Sequence, residues 1–221
     1  MRILIVNADG MRDYLKWHEA YDDPASDLSW RLRQVQAYIR SALDQMDGQG
    51  TVLSLCAGDG RDVLQVLAER DDSSRIQTTL LELHPVLAQR GQEFAAASGL
   101  TNVTVRTVDA GHSAAYAGAV PADLVIMIGI FGNISDDDVR RTIMTAPQLC
   151  RPGATLLWSR ATSPDDANSL VRQLLPAAGF VELDYRECDS GEEERAALGS
   201  ARYDGPPQPL ITGRQVFTFL R

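Results

Sequence analysis

The chain has 221 residues, with 30 acidic side chains against 21 basic ones and a formal net charge of −9. That length suits one α/β domain with a sizeable core and is too short for two comfortable ones. The acidic balance, with Lys16 as the only lysine, excludes a protein that grips nucleic acid through its phosphates and leaves a small-molecule or protein substrate; a monomer or homodimer is expected.

In chain order, residues 1–50 stand outside any strand–helix rhythm. The apolar run 3–6 is far too short for a signal segment or a membrane span. Residues 11–24 place Tyr14, Trp17, His18 and Tyr21 within two helical turns before Pro24 stops the pattern. So dense an aromatic cluster predicts a helix that packs its rings on the main domain, a lid that closes over a ligand, or both. Asp27 is expected to cap a second helix over 28–46, with Trp30, Leu32, Val35, Ile39 and Leu43 on its apolar side and Gly48 at its end.

From residue 51 the chain alternates strand and helix. Val52, Leu53 and Leu55 predict a buried parallel strand, Gly58 and Gly60 a tight turn, and Val63, Leu64, Val66 and Leu67 a helix whose first N–H groups attract electron-rich ligand atoms. A second strand over 76–83 ends in the acid Glu82, and a helix follows over 85–98. The third strand, 103–108, is closed by Asp109. The fourth, 122–130, is almost wholly apolar and so central, and runs into Phe131-Gly132-Asn133. A helix over 136–150, a turn at 151–153, a strand over 154–159, a helix over 165–178 and a strand over 180–186 continue the rhythm. Residues 189–209, polar and rich in glycine and proline, read as a long exposed connection, and 215–220 as a final strand. The expected fold is a doubly wound, seven-stranded, mostly parallel sheet with its last strand antiparallel. A helical extension over 1–50 precedes this domain of 51–221.

Ligands of such sheets bind at the carboxyl ends of the strands. Gly58 and Gly60, Glu82, Asp109 and Asn133 all fall there. Glu82, 22 residues after Gly60, is placed to accept hydrogen bonds from both hydroxyls of a ribose, and Asp109 from an adenine amino group, or to serve its own turn. A dinucleotide fingerprint needs a third glycine where Val63 stands, and no Tyr-x-x-x-Lys follows. His18 and His112 are the histidines to weigh as proton carriers, while His84 reads as a cap or an exposed residue; Asn133 can orient a substrate oxygen or stabilise its own turn, and Arg160 can neutralise a substrate carboxylate. Cys56, Cys150 and Cys188 have no metal-ligand spacing and an odd count, which suits a reducing cytoplasm.

The motif from Ser54 to Gly60 (SLCAGDG), Glu82 in LLELHP, Asp109 in TVDAG, the fourth-strand stretch 123–133 and RPGATLLWSR together resemble the class I S-adenosylmethionine-dependent methyltransferases. The likeness covers about 51–160 well and later strands loosely, and YLKWHEAYDDP is similar to the start of small bacterial members. Ser54 stands where that family has an acid, and Cys56 where it has the first glycine. The resemblance implies a Rossmann-like methyltransferase fold, S-adenosylmethionine as cofactor and S-adenosylhomocysteine as product. It implies Cys56, Ala57, Gly58, Asp59, Gly60, Glu82, Leu83, Asp109, Ala110 and Gly129 around the cofactor. Tyr14, Trp17, Tyr21, Phe131 and Arg160 would then surround a small-molecule acceptor, with His18 and Asn133 as catalytic groups. A protein that binds the cofactor without transferring methyl is the alternative.

Overall fold

A computed structural model describes residues 21, 23–24, 26–162, 167–189 and 195–220. Seven strands form one sheet: β1 (Gly50–Leu55), β2 (Ile76–Glu82), β3 (Val103–Thr107), β4 (Ala122–Met127), β5 (Cys150–Ser159), β6 (Phe180–Glu187) and β7 (Ala197–Tyr203). Their order is β3-β2-β1-β4-β5-β7-β6. The first five pair in parallel, and β7 runs antiparallel to both β5 and β6. This is the doubly wound, mostly parallel sheet that the alternation predicts. Reversal of strand order between β1 and β4 opens the crevice where ligands of such sheets bind.

Alternation along the strands sorts side chains into two layers. Val52, Leu124, Ile126 and Leu157 face the layer formed by α1 (Asp27–Asp44) and α2 (Arg61–Ala68), through Val35, Ile39, Leu43, Val63 and Leu67. Leu53, Leu55, Val125, Met127 and Trp158 face α4 (Asp136–Thr145) and α5 (Ala167–Ala177), through Val139, Ile143, Val171 and Leu175. Between them in sequence, α3 (Pro85–Ala97) packs beside β3 and α2.

Helix α1 therefore shares a core with the sheet, and the Tyr38 hydroxyl adds a bond to Asp184 of the edge strand β6 at 2.5 Å. Its N-cap is Ser26, whose hydroxyl accepts from Ser29 N at 3.1 Å, and not Asp27. Asp27 instead turns its carboxylate toward Ala196 N and Cys188 Sγ, contacts a helix-start pattern does not reveal. The predicted turn at 151–153 lies inside β5, as an irregularity in its pairing with β4.

The antiparallel strand is the main correction. It is 197–203, inside the stretch expected to be an exposed connection, while 215–220 forms no strand. Gly199 sits directly opposite Trp158, and a Cβ there would come within 2.3 Å of the indole. Small residues at 197–201 let the ring lie flat against the strand, but glycine and alanine carry low strand propensity, so the segment reads as a loop. With the place beside β5 filled, 214–220 is left to cross the carboxyl edge of the sheet.

Replacing Gly199 with valine forces the Trp158 ring out of its place. Gly199→Val is expected to lose about 1–3 kcal/mol of unfolding free energy in urea titrations. An unchanged midpoint would mean that the ring does not depend on this gap.

Candidate functional site

The loop after β1 is shaped by backbone that side chains rarely adopt. Cys56 has φ +53°, Gly58 +61° and Gly60 +71°. At Gly60 a Cβ would also come within 2.6 Å of Leu80 and 2.9 Å of Leu64, so only glycine lets the chain turn this close to β2. Ala57 N donates to Leu81 O at 3.0 Å, and Gly60 N to Ala57 O at 2.9 Å. The Asp59 carboxylate, largely buried, grips Arg61 through its Nε at 2.9 Å, and the Arg61 guanidinium lies 4.6 Å over the Tyr21 ring. Tyr21 is thereby brought to the start of α2. Tyr14, Trp17 and His18 lie outside the described residues. Burial first, then the charges of Glu82 and Asp109, push the Cys56 thiol well above its ordinary range.

Glu82 ends β2 almost fully buried. Its Oε2 accepts from Gly58 N at 2.8 Å and its Oε1 from His84 N at 2.7 Å. Burial raises its pKa, and these two N–H bonds pull it back down. A carboxylate offers about four lone-pair sites, so acceptor capacity remains beyond these two bonds. Glu82 thus closes the glycine loop from the end of β2, a task that the spacing of acids does not show. Leu83, beside it, is 62% exposed and offers an apolar surface for a base.

Asp109 stands half exposed beyond β3, with Oδ1 accepting from Gly111 N at 2.7 Å and Oδ2 3.8 Å from His112 Nε2. Ala110 is buried, and its carbonyl accepts from the Tyr116 hydroxyl at 2.6 Å.

Beyond β4, which ends at Met127 rather than at residue 130, Gly129 adopts φ +77°. Its N–H donates to Ser159 Oγ at 2.9 Å and its carbonyl accepts from Asn133 Nδ2 at 2.6 Å. Asn133 therefore shapes the loop after β4. Phe131 is fully buried against Trp158, their ring centroids 6.3 Å apart, and Trp158 stacks on Tyr185. Arg160 follows β5 with its side chain only 13% exposed. It meets the largely exposed Asp136 through Nη2 at 3.1 Å, and its Nη1 is enclosed without a hydrogen-bond partner among the described residues. Asn168 Oδ1 is enclosed and unpartnered in the same way, while its Nδ2 donates to Tyr185 Oη at 2.9 Å.

Three contributors escape the sequence reading: Ser159, which fixes Gly129; Gly111, which holds Asp109; and the 214–220 segment. Ser159 has a signal in its position at the tip of the fifth strand. The other two have none, because they act through backbone groups. Among the described residues no cluster of three or more His, Cys, Asp or Glu could hold a metal ion, and no helix is long and apolar enough to cross a membrane.

The strand order, with one antiparallel strand near its edge and a glycine loop facing two acids, defines a Rossmann-like methyltransferase fold. The sequence matches the family described as "Putative methyltransferase" over residues 27–166, well over half of the chain, and the protein belongs to that family. No curated protein matches its sequence. Among solved structures it is similar to magnesium protoporphyrin IX methyltransferase from Synechocystis PCC 6803 with bound S-adenosylmethionine. The identity there is 13%, the TM-score 0.67, and the match covers 91% of this chain and 94% of that one. It is also similar to an O-methyltransferase family protein from Burkholderia thailandensis, at 18% identity and TM-score 0.57 over 77% of this chain and 56% of that one. A third likeness is to a structure titled a putative sarcosine dimethylglycine methyltransferase from Galdieria sulphuraria, at 14% identity and TM-score 0.57 over 77% and 86%. These likenesses show the fold.

Two predictions follow from the loop. Glu82→Ala removes two charge-assisted acceptors and is expected to weaken S-adenosylhomocysteine binding by roughly 2–4 kcal/mol in calorimetric titration; unchanged affinity would sink the ribose assignment. Next to Arg61, burial and then the Asp59 charge push the Asp62 carboxyl up to about 6, against the bond from Val63 N. The folded chain then holds a proton that the unfolded chain releases, so stability falls as pH rises from about 4 to about 6. Asp62→Asn should flatten that slope in thermal melts taken across the window, and parallel curves for both proteins would refute the shift.

Proposed function

We propose that this protein transfers a methyl group from S-adenosylmethionine to a small-molecule acceptor that carries an acidic group. The observation that carries this reading is Glu82: a buried carboxylate at the tip of β2 with acceptor capacity beyond its two backbone bonds, beside a glycine-lined loop and in line with Asp109. Bound S-adenosylmethionine in the Synechocystis structure of the same fold supports the choice of cofactor.

In this reading Glu82 takes the ribose hydroxyls, Leu83 and Ala110 flank the adenine, and Asp109 accepts from its amino group. Cys56, Ala57, Gly58, Asp59 and Gly60 form the loop beneath the methionine part, with Gly129 on the far side of the crevice. The cofactor, when bound, supplies a methyl carbon already activated by a sulfonium leaving group. The chain's work is to align the acceptor, exclude water and give a proton a route out. Arg160 anchors the acceptor's acidic group through Nη1, which has no hydrogen-bond partner among the described residues. Asn133 acts through the Gly129 carbonyl that it holds, and His18, outside the described residues, is the proposed proton acceptor. Tyr14, Trp17, Tyr21 and Phe131 complete the acceptor's surroundings, Phe131 by backing the Trp158 ring. The free thiols of Cys56, Cys150 and Cys188 suit work in a reducing cytoplasm.

Parallel calorimetric titrations with S-adenosylmethionine, S-adenosylhomocysteine and NAD test the cofactor. Binding of the first two and not of the third is expected, and the opposite pattern overturns the reading. A panel of small amino, hydroxy and thiol acceptors, each offered as the free acid and as its amide, then tests the acceptor class. Release of S-adenosylhomocysteine with acids only is expected. Arg160→Met should raise KM for those acids by about tenfold or more, the loss of one charge-assisted hydrogen bond, with cofactor affinity unchanged. Tight cofactor binding without turnover across the panel would favour a protein that binds the cofactor without methyl transfer.

A further inference from the structure

Residues 214–220 cross the carboxyl edge of the sheet and bond to both walls of the crevice. On one side, the Gly111 carbonyl accepts from Val216 N at 2.7 Å, from Gln215 Nε2 at 3.2 Å and from Phe217 N at 3.4 Å. Ser113 N donates to Arg214 O at 2.9 Å, Arg214 N donates to Ser113 Oγ at 3.0 Å, and His112 pairs with Gln215 as an antiparallel bridge. On the other side, Thr218 N donates to the buried Asp138 carboxylate at 3.0 Å and Leu220 N to the Asn133 carbonyl at 2.8 Å. Val216 and Phe217 are buried between these anchors. Gly111 is the pivot: its carbonyl faces the segment, while its N–H holds Asp109 Oδ1 at 2.7 Å. A Cβ at Gly111 would come within 2.4 Å of Phe217 O and 2.9 Å of Asp109 Oδ1, so nothing larger fits while the segment is docked.

We infer that the docked 214–220 segment is a specificity element, which sets the selectivity for adenine by fixing Gly111 and, through it, the Asp109 carboxylate. This rests on the proposed role of Asp109 toward the adenine amino group. A half-exposed aspartate has several side-chain orientations of similar energy, and discrimination between an amino and a carbonyl group requires that one be held. Gly111 N holds it, and three donors of the docked segment hold the carbonyl of the same residue, in the next peptide plane, so that Gly111 is pinned on both sides of its Cα. Asn133 and Asp138 anchor the far end, so the segment also ties the adenine wall to the loop that carries Gly129. Linkage makes the effect reciprocal: whatever docking adds to adenine affinity, the bound ligand adds to docking.

The test compares S-adenosylhomocysteine with S-inosylhomocysteine, in which a carbonyl replaces the amino group. The wild-type protein is expected to prefer the adenine ligand by about tenfold or more, one hydrogen bond's worth or better. Gly111→Ala should weaken the adenine ligand by a similar factor and leave the inosine ligand nearly unchanged, so that the preference collapses. Equal weakening of both ligands, or a preference kept in the variant, overturns the inference. A wild-type protein that binds both equally removes the Asp109 role and the inference with it, and one that binds neither removes the proposed function as well. Hydrogen exchange on the wild-type protein gives a second readout that needs no variant. S-adenosylhomocysteine should slow exchange of the Val216 and Leu220 amides by about tenfold, as linkage requires, and S-inosylhomocysteine by much less. Protection that is the same with either ligand, or absent with both, counts against it.

Discussion

A single buried carboxylate joins the first two strand ends. Glu82 draws Gly58 N from the loop after β1 and His84 N from the turn into α3 onto its two oxygens. A charge so enclosed is costly without hydrogen bonds, and both loops are the source of those bonds. The turn geometry on either side is therefore coupled: Gly58 reaches Glu82 because it adopts a left-handed φ, and α3 begins where His84 N must face inward. A binding site built this way is formed before any ligand arrives. What the ligand meets is the unused half of a carboxylate whose position is already fixed.

The far side of the crevice is held by different means. Gly129 is fixed through Ser159 and Asn133, and the ring stack of Phe131, Trp158 and Tyr185 supports that loop from below. The stack exists because β7 offers Gly199 opposite Trp158. The antiparallel strand thus shapes the loop after β4 without contributing a side chain to it.

How much of this is legible in the sequence depends on which atoms carry the information. Buried parallel strands announce themselves in runs such as 52–55 and 122–127, and helices in the spacing of Val63, Leu64, Val66 and Leu67. Acids at strand ends are visible because position along a strand dictates their place at the edge. Strand β7 is hidden, since Ala197, Gly199, Ser200 and Ala201 carry little strand propensity, and Gly199 is required by the volume of Trp158 opposite it. The run 215–220 misleads for the converse reason. Val216, Phe217 and Phe219 are apolar enough for a strand, yet the segment's backbone partners are the Gly111 and Asn133 carbonyls on loops and the Asp138 carboxylate on α4, which no periodicity encodes. Asp27 shows the same limit on a smaller scale. Ser26 beside it is an equally good cap, and the choice is made by Ala196 and Cys188, far away in the chain.

Charge distribution explains why the two halves of the crevice suit different ligands. Around the glycine loop stand Glu82, Asp109 and Asp59, of which only Asp59 is matched by an arginine within its own loop. That side carries an excess of negative charge, to which Ser54 at the end of β1 adds none. At the tip of β5 the sign reverses. The Asp136 contact with Arg160 is single and mostly in solvent, and such a contact neutralises little of a guanidinium whose other face is enclosed. Charges this exposed are screened within about 8 Å at physiological salt, so the overall charge of −9 does little to orient a ligand. Orientation is left to the nearest groups. Along the carboxyl edge, strand order sets Asp109, Glu82 and the glycine loop on one side of Gly129 and Arg160 on the other, so the charges nearest the crevice change sign across it.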